Sequence, residues 1–84
     1  MPTIKISASS VQMLPSPIVV MGWKEDWTGY TGCGWVGVTD YNTNPLVLVA
    51  SNVTVAALKV VVDQTIAYYN EINTGNRTIS ATVE

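Results

Sequence analysis

The side chains of this chain that could carry out chemistry are carboxylates, hydroxyls and one thiol, because the sequence contains no histidine. Among the six Asp and Glu residues, Glu25 and Asp26 are neighbours. Paired carboxylates can act as acid and base when their surroundings keep one protonated and the other ionised. This pair follows Lys24 in a stretch rich in turn-forming residues, so we interpret it as part of a solvated turn.

Hydroxyl residues are frequent, but none occurs in a pattern that activates a nucleophile. The sequence has neither a Gly-x-Ser-x-Gly turn nor a Ser-x-x-Lys pair. Without histidine, the most common general base and many metal sites are also missing. We therefore expect no catalytic residues, no metal site and no enzymatic activity.

Three glycines match one known binding motif by spacing alone. Gly32, Gly34 and Gly37 are spaced as in the loop that binds dinucleotides, which follows a strand and opens a helix. Residues 35–39 instead have the composition of a strand, so the required helix is missing. We expect no nucleotide, no other cofactor and no small-molecule substrate.

The segment Asp40–Asn44 resembles the first positions of a calcium-binding loop. That loop requires Gly at its sixth position and Glu at its twelfth. Pro45 and Ser51 stand at these two positions here. We interpret the segment as a turn rich in Asn and Asp.

Cys33 is the single cysteine, so an intramolecular disulfide is impossible. We interpret it as a partly buried thiol in a reducing compartment; an intermolecular bridge or a reactive thiol is the alternative. Residues 1–10 lack a charged segment followed by an apolar one, and no run of 18 apolar residues occurs. We therefore expect a cytoplasmic protein without a membrane contact; association with a virion also fits.

An aromatic cluster is the feature that most resembles a binding site. Trp23, Trp27, Tyr30 and Trp35 lie close together in the sequence, with glycines between them. One interpretation is that Trp23 and Trp35 fill the core. The other is an exposed platform formed by Trp27 and Tyr30, which would bind a protein partner in preference to a sugar.

Strands account for most of the elements that would position these residues. Five are predicted from alternating or continuous apolar residues, at 3–7, 18–23, 35–39, 46–49 and 78–83. The first of them is predicted at an edge of the sheet. The fourth is apolar throughout and is predicted to be central and covered on both faces. Residues 24–34 are predicted to form a loop.

One helix is predicted over residues 54–73, where apolar residues recur at helical spacing. Ser51 or Asn52 is expected to cap its start and Gly75 its end. Its buried face is predicted to contain seven residues: Val55, Leu58, Val61, Val62, Ile66, Tyr69 and Ile72. The sequence thus predicts a single α+β domain over residues 1–84, with a small antiparallel sheet in β-β-β-β-α-β order and the helix across one face.

The outward side of this helix carries a second apolar stripe, formed by Val53, Ala56, Val60 and Ala67. A solvent-facing helix more often carries Glu, Lys or Arg at such positions. Single exposed apolar residues are also normal, so the stripe is open to two interpretations. It is either ordinary surface or a helix–helix contact with another subunit.

Low charge limits the classes of function that fit. Only 12% of the residues are charged, against about a quarter in an ordinary domain. The four basic residues are scattered, so we expect no nucleic-acid partner. We predict a non-enzymatic structural or assembly subunit that forms a homo-oligomer or lattice, such as a small viral or phage component. The alternative is a small protein-binding module or inhibitor that docks onto a larger protein through Trp27 and Tyr30.

Overall fold

Two helices lie on one face of a four-stranded antiparallel sheet in the computed structural model, which describes residues 1–84 except the side chain of Asn76. The elements are β1 (Thr3–Ser7), α1 (Pro17–Thr31), β2 (Gly34–Val36), β3 (Leu46–Ser51), α2 (Val55–Ile72) and β4 (Ser80–Val83). The strand order in the sheet is β2-β3-β1-β4. The predicted α+β class, the small antiparallel sheet and the helix across one face are confirmed.

Strand β1 is central, so the prediction of an edge strand at residues 3–7 is wrong. It pairs with β3 on one side and β4 on the other. Its alternating pattern places Ile4 and Ile6 on the helix side, where both are fully buried. They stand opposite Leu48 and Leu46 of β3, which are buried on the same face.

Strand β3 is interior, as predicted, but the helices cover only one of its faces. Its buried and more exposed residues alternate, and Val47 is 39% exposed. The prediction of coverage on both faces is therefore wrong. The face of the sheet opposite the helices is therefore open. Val47 lies on this open face, together with Val36 of β2 and with Lys5 and Thr82 of the neighbouring strands.

Helix α1 occupies residues for which a strand at 18–23 and a loop at 24–34 were predicted, and both predictions are wrong. The Ser16 hydroxyl accepts a hydrogen bond from the Val19 N–H at 3.4 Å, and Pro17 stands in the first turn. Both are typical of a helix start. The helix ends at Gly32, whose φ of +76° is the left-handed conformation that glycine adopts readily.

Helix α2 is the predicted helix, one residue shorter at each end. Thr54 caps its start by accepting a hydrogen bond from the Ala57 N–H at 3.1 Å, so the cap is neither Ser51 nor Asn52. At the other end the helix ends at Ile72, and Asn73 is its C-terminal cap. Gly75 is not its cap but opens a short turn over Gly75–Arg77.

The buried face of α2 is narrower than predicted. Leu58, Val62 and Ile66 are buried against the sheet, and Val61 and Tyr69 pack against them in part. The two residues at the ends of the predicted face are exposed: Val55 is 40% exposed and Ile72 is 61% exposed.

Strand β2 is shorter than the predicted 35–39. Gly37 has a φ of +75° and turns the chain away from the sheet after Val36. At Gly34 of β2, a Cβ atom would lie 2.7 Å from the side-chain Oγ of Ser51, so a larger residue there would require the Ser51 hydroxyl to move.

Strand β4 returns along α2 to complete the sheet. Ala81 and Val83 face the helices, and Ile79 just before the strand is buried. All buried side chains among the described residues are apolar. Neither of the two described helices is long and apolar enough to span a membrane.

Candidate functional site

Trp27 is the first residue of the predicted exposed platform, and the structure buries it completely. Its indole Nε1 donates a hydrogen bond to the Thr65 Oγ1 at 2.9 Å, which satisfies the polar atom of the ring inside the core. The prediction that Trp27 is exposed is therefore wrong. The error came from treating residues 24–34 as a loop, since a helix fixes which direction each side chain faces.

The other two tryptophans contribute to the core in part, in agreement with the first interpretation of the cluster. Trp23 lies 6.0 Å from Trp27 and 5.5 Å from Tyr69 between ring centroids, the latter edge-on. Trp35 lies 6.1 Å from Trp27. These contacts join α1 to β2 on one side and to α2 on the other, so the aromatic cluster holds both helices in place.

A groove runs between the two helices on their outer side. Its volume is about 340 Å³. It is lined by aromatic, amide and hydroxyl groups of both helices: Trp23, Asp26, Tyr30, Val61, Gln64, Thr65 and Tyr68. Tyr30 and Tyr68 are 79% and 65% exposed, so the predicted exposure of Tyr30 is confirmed.

The predicted stripe on α2 is only partly exposed. Ala56, Val60 and Ala67 face solvent, and Val60 is 58% exposed. Val53 precedes the helix and is half-buried against the core. Three of the four stripe residues are therefore available to a partner.

The stripe adjoins the groove, so the two surfaces predicted separately form one. Val60 lies one helical turn before Gln64, which lines the groove, and two turns before Tyr68. We call the continuous patch formed by Tyr30, Val60, Gln64, Tyr68 and the exposed edge of Trp23 the helix-layer surface.

Tyr68 was missed by reasoning from the sequence, although a signal was present. Adjacent residues on a helix point about 100° apart. Since Tyr69 was placed on the buried face, Tyr68 had to point away from it, toward the side that carries Val60. Outside the 23–35 segment, no exposed aromatic residue was predicted from the sequence.

The neighbouring carboxylates do not converge. Glu25 and Asp26 lie in helix α1 and not in the predicted turn. Asp26 lines the groove between the helices, whereas Glu25 lines a separate depression between α1 and β2 with Lys24 and Trp35. Lys24 Nζ lies 5.4 Å from the centroid of the Trp35 ring, a cation–π distance. This arrangement gives no shared acid–base pair.

Two other segments singled out by sequence have local structural roles. The Asp40 carboxylate accepts a hydrogen bond from the Asn42 N–H at 2.9 Å, the geometry of the expected Asn- and Asp-rich turn. Cys33 is 3% exposed, with its Sγ 3.8 Å from the Thr28 Oγ1. Within the described part of the chain, no group of three His, Cys, Asp or Glu side chains is placed to hold a metal ion.

Comparison of the chain with protein-family models, with curated proteins and with solved structures gives no match.

Proposed function

We propose that this protein is a non-enzymatic binding unit that docks onto another protein through the helix-layer surface. The observation that supports the proposal is the pair Tyr30 and Tyr68, which stand exposed on opposite helices beside one groove. Tyrosine offers a large contact area and a hydroxyl at low cost in conformational entropy, and it is enriched among residues that dominate binding energy.

The groove is held in shape before any partner binds. Trp23 forms part of its wall and is fixed by the edge-on contact with Tyr69 and by the contact with Trp27. Both walls belong to helices, which are more rigid than loops. A partner would therefore lose little binding free energy in ordering the site.

The chemistry of the groove favours a particular kind of partner side chain. Asp26 is the charged residue of its lining, which also includes the rings of Trp23, Tyr30 and Tyr68. An arginine or lysine of the partner could pair with the carboxylate and stack on a ring. Gln64 offers an amide that both donates and accepts hydrogen bonds.

A subunit of a homo-oligomeric assembly is the second candidate function. It is favoured by a different feature, the free backbone edge of strand β4. A small viral or phage component remains one kind of protein that would fit either candidate.

Affinity capture with matched variants tests the proposed function. The double variant Tyr30→Ala/Tyr68→Ala removes both exposed rings, and Val38→Ala/Val47→Ala removes two exposed apolar side chains elsewhere. We expect the tyrosine variant to lose at least about tenfold in recovery of the specific partner from the native host, and the valine variant to recover it as the parent does. Circular dichroism confirms that both variants fold. Equal recovery of the same partners by both variants contradicts the proposal.

A further inference from the structure

Strand β4 forms one edge of the sheet and pairs with β1 alone. Thr3 and Glu84 exchange two backbone hydrogen bonds of 2.9 Å. Such pairs alternate along an antiparallel ladder, so Thr82 also directs its N–H and C=O toward β1. Ala81 and Val83 direct theirs away from the sheet. The edge of β4 therefore presents the backbone donors and acceptors of two residues.

The preceding position on the same edge is already paired by a side chain. The Ile79 N–H donates to the Asn70 Oδ1, and the Asn70 Nδ2 donates to the Ile79 carbonyl, both at 2.8 Å. The amide of Asn70 thus imitates a residue of an added strand. These side-chain hydrogen bonds reach only Ile79, and no described residue pairs with the outward N–H and C=O groups of Ala81 and Val83.

The two edges of the sheet differ in how they are protected. Strand β2 has three residues, and Gly37 then turns the chain away. Strand β4 contains no lysine, other charged residue or proline among Ser80–Val83, and these are the residues that commonly prevent an edge from pairing. The β4 edge is therefore a template for another strand, whereas the β2 edge is not.

We infer that β4 pairs in antiparallel fashion with β4 of a second copy of this chain. With the two-fold axis at Thr82, Ala81 of each copy stands opposite Val83 of the other. The outward N–H and C=O groups of Ala81 and Val83 then form hydrogen bonds with those of the opposite residues in the second copy, and the two strands lie about 4.8 Å apart. The result is one continuous sheet with both helix layers on the same side.

The charges beside this edge favour a second copy over an unrelated extended peptide. Lys59, Asp63 and Asn70 share one side of α2, because they are four and then seven residues apart. Asn70 contacts the β4 edge, so Lys59 and Asp63 face the same way, and they form an ion pair of 3.1 Å. The two-fold axis reverses the second α2, so in the proposed dimer the Lys59–Asp63 pairs of the two copies would run in opposite directions, and each lysine would be nearer to the other copy's aspartate than in a parallel arrangement.

Small side chains on this part of α2 allow the helices to approach. Ala56 and Ala67 lie between the charged side and the exposed Val60. Bulky side chains at these positions would hold the two helices apart. The backbone edge and the charge pattern therefore both fit a symmetric contact, in which the same patch is used twice.

This inference rests on the second candidate function, self-assembly, and does not depend on the groove. The groove of each copy lies on the outer side of its helix layer, so both grooves would face the same way in the dimer. A partner that carries two copies of the recognised segment would then bind with increased apparent affinity.

Val83→Pro tests the contact, because proline removes a backbone N–H that points away from β1 and so leaves the pairing with β1 in place. Size-exclusion chromatography with light scattering is run on the parent, Val83→Pro and the matched control Val83→Thr, which keeps the N–H. We expect the parent and Val83→Thr to have twice the 9.1 kDa mass of one chain. The dissociation constant of Val83→Pro should be at least about tenfold higher, which is about 1.4 kcal/mol.

The inference is overturned if the parent protein stays monomeric at millimolar concentration. This holds even if the β4 edge is then found to bind an extended peptide. A Val83→Pro variant that dimerises like the parent also overturns it. If Tyr30→Ala/Tyr68→Ala dissociates the dimer and Val83→Pro does not, the helix-layer surface is the contact between copies. An intact dimer with no partner recovered through the groove contradicts only the proposed function.

A second measurement covers the case in which Val83→Pro does not fold. Amide hydrogen exchange of the parent is followed at several protein concentrations. The amides of Ala81 and Val83 should become more protected as concentration rises, because pairing engages them, while that of Thr82 should stay protected throughout. Protection of Ala81 and Val83 that is independent of concentration contradicts the inference.

Discussion

The two sides of the helix layer use aromatic residues for different purposes. On the side that faces the sheet, Trp27 is fully buried and its indole N–H is paired with Thr65. On the outer side, Tyr30 and Tyr68 are mostly exposed and have no role in the core. The difference indicates that the inner aromatic residues stabilise the fold and the outer ones are available for binding, so substitutions should separate the two effects.

The largest effect should come from Trp27→Ala on the inner side. Removing a fully buried tryptophan leaves a cavity and removes the hydrogen bond that the Thr65 hydroxyl accepts, with an expected loss of about 3–5 kcal/mol in the free energy of unfolding. Urea denaturation followed by far-ultraviolet circular dichroism measures it. Tyr30→Ala, one turn along the same helix, is the control and should change that free energy by less than about 0.5 kcal/mol. Similar losses for both would remove the distinction between the two sides.

A smaller effect on the inner side should come from Thr65→Val. The valine keeps the shape of threonine but cannot accept the hydrogen bond of Trp27 Nε1, so a buried donor is left unpaired. The expected cost is about 1–3 kcal/mol in the free energy of unfolding. Thr28→Val is the matched control, since Thr28 accepts a hydrogen bond of 3.0 Å from Trp35 Nε1 at a more exposed site where water can replace it. A control as costly as Thr65→Val would show that burial of the bond does not matter.

The fold class was predictable because most elements have a clear hydrophobic period. Thr3–Ser7 alternates strictly, and the apolar residues of α2 recur at helical spacing, so the periods alone locate both elements. Which strand lies at an edge was not predictable. Strand order depends on contacts between segments that are distant in the sequence, and the residues of β1 do not indicate which strands lie beside it.

Helix α1 was missed because its residues give conflicting local signals. Residues 18–20 are β-branched and favour strands, and Gly22 and Gly29 lower helix propensity. Contacts with the rest of the fold override these preferences, since the helix buries Val20 and Trp27 against the sheet.

The residues at the two ends of α1 are nevertheless typical of helix termini. Ser16 followed by Pro17 is typical of a helix start, and Gly32 is typical of a helix end. Serine, proline and glycine are each common in turns as well, so none of these residues alone predicts the end of a helix. Reading all three together as the two ends of one helix would have placed Trp27 on a helical face, and its burial alongside Val20, seven residues earlier, would have followed.

The smallest effect on stability should come from Tyr68→Ala on the outer side. Its neighbour Tyr69 supplies a matched control, because the two are adjacent on α2 and point about 100° apart. Tyr69 packs edge-on against Trp23, so Tyr69→Ala should lower the free energy of unfolding by more than about 1 kcal/mol. Tyr68→Ala should change it by less than about 0.5 kcal/mol, because the ring is 65% exposed and makes no core contact. Urea denaturation of both variants measures the two values. A Tyr68→Ala variant as unstable as Tyr69→Ala would assign Tyr68 to the stabilising side of the layer, and the helix-layer surface would lose one of its two exposed aromatic residues.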